Sequence, residues 1–223
     1  MTEQTIETKH EPAMTEDFEG GTEAMDALTA EMRSIEAQGP DIGPMPQRMA
    51  ASRLYEAELF QVRAGISAYH VESLSRSLAQ DGDLQPLLVL RRGGKAYLID
   101  GRHRLRAYEQ ARRGNSVPVA EFFGTPQEAL LEGQRLNKRH TLAMTQDERM
   151  DCAWKLVKLD AAGACRFTLP QITAVGVSRG QVTFMRKVLR ELGEPGFEHV
   201  RWKVALRMHN GKSGREYTEE EME

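Results

Sequence analysis

In the stretch LIDGRHRLRAYEQARRG, residues 98–114, an apolar run ends at Gly101 and four basic side chains, Arg102, His103, Arg104 and Arg106, follow at once. Cations in the first turn of a helix oppose the helix dipole, so this placement requires a counter-charge. The chemistry open to such a junction is anion binding. A glycine at a strand-to-helix turn lets backbone N–H groups approach a ligand, and guanidinium groups pair bidentately with phosphate oxygens. Because residues 102–104 are consecutive, they fan around the turn rather than line one solvated face. A second cluster begins at Ser178, with Arg179, Gln181 and Thr183 leading and Arg186, Lys187 and Arg190 behind. Arg and Gln at the start of a helix read base edges, while later cations and a capping serine suit backbone phosphates.

The elements that position these groups are legible in the hydrophobic pattern. Val71, Leu74 and Leu78 share one helical face, and Gly82 is placed to stop that helix. LQPLLVLRR, a Gly93-Gly94 turn and KAYLIDG read as a β-hairpin, followed by a helix over Arg102–Arg112 and a strand in SVPVAEFF. Thr125-Pro126 opens a further helix that runs to about Arg139. Thr145–Glu148 and Ser178–Gln181 have the spacing of capping boxes. Behind the second lie Val182, Met185, Val188 and Leu189 as an apolar face. Only three residues separate Ile172 from the Gly176 turn, so the helix before that turn should be short. Residues 199–212 alternate basic and apolar side chains and fit either a strand or a helix.

Charge is distributed unevenly. The net charge is −3, yet residues 1–50 carry 3 basic and 11 acidic side chains, and residues 163–215 carry 10 basic and 3 acidic. Residues 101–140 are also basic, with 8 cations against 4 carboxylates, and the last eight residues are acidic. Basic territory between acidic ends points to a polyanionic partner for the middle of the chain. Residues 1–51 have the composition of a disordered arm, in which only 22–39 shows helical spacing. No apolar run has the length of a membrane span, and a cytoplasmic location is expected. Cys152 and Cys165 have no metal or disulfide spacing, and Trp154 and Trp202 are expected in a core. No metal site is expected.

Three segments, in order, resemble the ParB/sulfiredoxin superfamily. DGRHRLRA is similar to the ParB box GERRxRA at Gly101, Arg104, Arg106 and Ala107, and to the sulfiredoxin form GGCHR at Gly101, His103 and Arg104. LSRSLAQDGDLQPLLVL resembles the stretch that precedes the box, and NKRHTLAMTQDER the segment that closes the nucleotide pocket. The resemblance implies an α/β ParB/sulfiredoxin-like domain over 52–142. After it comes an all-α helix-turn-helix domain over 143–212, then an acidic tail, 213–223. It further implies that Gly101, Arg102, His103, Arg104 and Arg106, with Asn137 and Arg139, hold a nucleotide, CTP or ATP. On that reading Arg104→Ala removes nucleotide binding and leaves the fold intact. Two departures weaken the case for Mg²⁺: Arg102 replaces the box glutamate, and Leu136-Asn137 stands where a Glu-Asn pair is expected. Arg102 also occupies the position of the sulfiredoxin cysteine, so no thiolate is available and sulfiredoxin chemistry is excluded.

The function expected from these features is sequence-specific binding of double-stranded DNA, as a ParB-type plasmid-partition protein or transcriptional regulator that acts as a homodimer. Ser178, Arg179, Gln181, Thr183, Arg186, Lys187 and Arg190 are the expected DNA contacts. The resemblance also implies a ParA-type ATPase as partner, although the acidic arm differs from the basic segment that contacts ParA in that family. The alternative is a ParB-like nuclease or NTPase. It has no identified catalytic residue and would depend on Asp100, Glu109 and Glu132 for a metal.

Overall fold

Gly93 and Gly94 both adopt positive φ, 54° and 76°, the conformation a two-residue hairpin turn demands. They join strand β3 (Leu87–Arg92) to strand β4 (Lys95–Asp100) in antiparallel register. The computed structural model describes residues 27–62, 65–139, 144–193 and 201–211. Around the hairpin stand β1 (Arg48–Met49), β2 (Leu54–Tyr55) and β5 (Val117–Glu121), giving the order β1-β5-β3-β4-β2. The β5–β3 and β4–β2 pairs are parallel, and β1–β5 is antiparallel.

Side-chain alternation along β4 explains its continuous apolar run. Ala96 and Leu98 join Leu87, Val89, Leu78, Leu105 and Tyr108 in a core beneath helices α2 (Ala68–Gln80) and α3 (Arg102–Gln110). Tyr97 and Ile99 point to the other face, against α1 (Ala27–Ala37) and α4 (Pro126–Arg139). A strand buried on both faces reads as uninterrupted hydrophobic sequence. Gly133 lets α4 lie close on β4, since a Cβ there would stand 3.2 Å from Ile99 Cγ2.

The second core does not stop at the sheet. It continues into α5 (Gln146–Ala161), α6 (Leu169–Thr173), α7 (Arg179–Leu192) and α8 (Trp202–Gly211). The helical half and the α/β half therefore share buried surface. Capping boxes start three of these helices, at Thr145–Glu148, Thr168–Gln171 and Ser178–Gln181. Trp154 and Trp202 are both buried, with ring centroids 5.1 Å apart. The 199–212 segment, which fitted strand or helix, is helical over Trp202–Gly211. A buried lysine secures the junction. Lys155 Nζ donates to the carbonyls of Glu58, Leu59 and Gln61 at 3.0, 3.2 and 2.7 Å, and burial pushes its ammonium below the usual lysine range.

The acidic arm requires correction. Residues 27–49 are not a solvated tail: Leu28, Met32 and Ile35 of α1 are buried in the shared core, and β1 extends the sheet. Leu59 N–H donates to Glu31 at 2.7 Å, and Arg33 donates to the Ala162 carbonyl at 2.9 Å. The helical spacing over 22–39 is realised as α1, and what composition did not show is that its apolar stripe finds a partner in the folded protein. Residues 1–26 and 213–223, the remainder of the arm and the acidic tail, lie outside the described residues. Met32→Ala should cost about 2–4 kcal/mol in urea unfolding. A solvated helix would give a change of less than about 0.5 kcal/mol.

Candidate phosphate and nucleic-acid interfaces

Gly101 forms the turn between β4 and α3 at φ 112° and ψ 20°. The position excludes other residues on two grounds. The backbone is left-handed, and a Cβ would stand 2.6 Å from Leu87 Cδ2. Immediately before it, the β3–β4 register shifts between Leu88 and Val89, opposite the end of β4. Such irregularities re-aim the residues beside them.

The counter-charge for the basic turn comes from within the chain. Arg104 pairs with Asp100 and donates to the carbonyls of Gln85 and Pro86 at 3.0 and 2.7 Å. Its side chain is 13% exposed and that of Asp100 9%. Burial holds the Arg104 guanidinium below its ordinary pKa, against the opposing pull of Asp100. Arg102 Nε donates to Glu56 at 2.9 Å, and Arg106 pairs both with Glu56 and, at 3.0 Å, with Glu109. The Arg106 pKa is raised: burial lowers it, and the hydrogen bonds of Glu109 and Glu56 outweigh that. Three guanidiniums thus face three carboxylates.

The remaining residues of the box are also engaged. His103 Nε2 accepts from Ser67 N–H at 3.0 Å, and the His103 ring lies edge-on to His70 with centroids 5.2 Å apart. Ser67 itself caps α2, accepting from His70 N–H. Asn137 donates to the Gly133 carbonyl at 2.8 Å and reaches Asp100 Oδ1 at 3.5 Å, which brings α4 beside the box. Arg139 ends α4, and its side chain lies outside the described residues. The carboxylates invoked for metal chemistry are each tied to an arginine: Asp100 to Arg104, Glu109 to Arg106 and Glu132 to Arg135.

Glu56 has no signal in the sequence, and Gln85-Pro86 stand out only as part of the stretch that precedes the box, not as acceptors for Arg104. Glu56 lies 46 and 50 residues from Arg102 and Arg106, and Gln85 and Pro86 lie 19 and 18 from Arg104, so the fold alone brings them together. The expected behaviour of Arg104 changes accordingly. Its guanidinium neutralises a buried carboxylate and fastens the 85–86 loop, so it is structural whatever else it does.

The second cluster lies on α7. The turn before it passes through Gly176 at φ 102°, and Ser178 accepts from Gln181 N–H at 3.2 Å. Val182, Met185, Val188 and Leu189 are buried, whereas Ser178, Arg179, Thr183, Lys187 and Arg190 are exposed. Two expected DNA contacts are partly committed. Gln181 Oε1 accepts from Ser178 N–H at 2.7 Å, and Arg186 reaches back to Asp160 at 3.4 Å. Lys187 pairs with Glu191 at 3.7 Å in an exposed bridge, which holds it weakly. Among the described residues no helix is long and apolar enough to cross a membrane.

Residues 47–121, which carry the five-stranded sheet and the Gly101 box, match the ParB N-terminal domain family. The chain is 34% identical over 96 residues to the transcriptional regulator NovG of Streptomyces niveus. That similarity covers 43% of this chain and only 28% of the relative, under a third of its length. Among the similar solved structures are two of the C-terminally truncated chromosome-partitioning protein ParB from Caulobacter crescentus. The one complexed with CTP-γ-S has 19% identity and a TM-score of 0.36 over 75% of this chain and 86% of that one. The other, complexed with the centromeric parS site, has 19% identity and a TM-score of 0.40 over 75% and 93%.

Arg104→Ala should lower stability by about 3–5 kcal/mol in urea unfolding, because it strands Asp100 without its partner. An intact, equally stable variant would return Arg104 to a purely ligand-binding role.

Proposed function

We propose that this protein is a DNA-binding transcriptional regulator of ParB type, which reads double-stranded DNA with α7 and holds a nucleotide triphosphate, CTP foremost, at the mouth of α3. One observation carries the DNA reading. Arg179, Thr183, Lys187 and Arg190 recur at helical spacing on the exposed side of α7, opposite a fully buried apolar face. In a helix-turn-helix formed by α6 and α7, this face enters the major groove, with Arg179 and Thr183 nearest the bases and Lys187 and Arg190 on phosphates. Gln181 can add base contacts through its amide NH₂ while its oxygen stays on the cap. Regulation is favoured over partition by the identity to NovG, a transcriptional regulator. A homodimer on paired half-sites is the expected assembly.

The nucleotide reading rests on Arg102 and Arg106, which converge from successive turns of α3 on one carboxylate, as they would on a phosphate. Backbone N–H groups at the start of α3 add donors. Bound there, the triphosphate would supply the charge that Glu56 now supplies.

Arg179→Ala should reduce discrimination between operator and unrelated DNA by about 1–3 kcal/mol in fluorescence anisotropy. Loss of affinity by the same factor on both DNAs would make Arg179 a phosphate contact instead. A titration with CTP, ATP and GTP should show selective CTP binding. If none binds, α7 is the functional centre and the α3 box is structural.

A further inference from the structure

Glu56 lies in irregular backbone between β2 and a short 3₁₀ helix, Glu58–Phe60. Its two oxygens take separate guanidiniums, Oε2 that of Arg102 and Oε1 that of Arg106. Bridging two cations one helical turn apart is what two non-bridging oxygens of a phosphate do. Among the described residues, Asp100 is matched to Arg104 and Glu109 to Arg106, and Glu56 is the carboxylate that Arg102 and Arg106 share.

The bridge can open. Its three side chains are 20–34% exposed, so a dissolved anion can reach them. The backbone that follows is held: Ala57, Leu59 and Phe60 are buried, and Lys155 grips the carbonyls of Glu58, Leu59 and Gln61. Glu56 therefore leaves by rotating its side chain rather than by moving its segment.

We propose that Glu56 is an internal competitor for the anion site, which sets its selectivity for polyphosphates. The inference rests on the reading that the mouth of α3 takes a polyphosphate. An anion enters the bridge by exchanging with the Glu56 carboxylate. Inorganic phosphate replaces one anion by another of similar charge and gains little. A triphosphate brings several charges and further oxygens to Arg102, Arg106 and the helix N–H groups, and displaces Glu56.

The test is calorimetric titration of the full chain with inorganic tripolyphosphate and with inorganic phosphate, for wild type, Glu56→Gln and Glu56→Asp. Glu56→Gln should bind tripolyphosphate about tenfold more tightly than wild type and lose part of the preference over phosphate. Glu56→Asp, too short to span both guanidiniums, should fall between them. It carries the same comparison if the glutamine variant does not fold. Equal tripolyphosphate affinity in wild type and variants overturns the competitor role and leaves the phosphate site standing. Absence of tripolyphosphate binding in every form overturns the phosphate reading, and the competitor with it.

Discussion

Burying the Arg104 guanidinium beside Asp100 is the constraint on which the box depends, because neither charge tolerates that environment alone. Asp100 ends β4, Arg104 lies one turn into α3, and Gly101 between them takes a backbone conformation that only glycine adopts without strain. The same guanidinium also donates to the Gln85 and Pro86 carbonyls. One side chain thus fixes the angle between strand and helix and the loop leading into β3. With Arg104 so committed, Arg102 and Arg106 are left as the pair that presents charge outward, and Glu56 meets them.

The chain from Leu54 to Gln61 ties the two halves of the molecule together. Its beginning pairs with β4, Glu56 reaches the α3 box, Glu31 of α1 accepts from Leu59 N–H, and Lys155 of α5 holds the last carbonyls. Such a segment cannot shift at one contact without loading the others, since buried carbonyls that lose a donor are costly. This continuity, together with the shared core, joins α5 to the segment that carries Glu56. On the far side of the same helical half, α7 turns its apolar face inward and its cations outward, and capping at Ser178 fixes where that face begins.

Local signals carried much of the fold. The glycine hairpin, the apolar strand runs beside it, the capping boxes at Thr145 and Ser178 and the apolar stripe of α7 depend on neighbours within about one helical turn or one turn residue, so pattern alone revealed them. Gly101 and its basic followers were likewise visible as a cluster that needs counter-charge, for their types conflict with the helix dipole. Long-range structure alone decided what those side chains do. Glu56 has no spacing that links it to Arg102 or Arg106, α1 looked like a solvated arm until α4 and the 58–60 turn covered its stripe, and nothing in the spacing around Lys155 marks it as a buried donor. In each case the partner is distant in sequence, and the energy of a buried ion pair or apolar contact exists only once folding has excluded water from between the two.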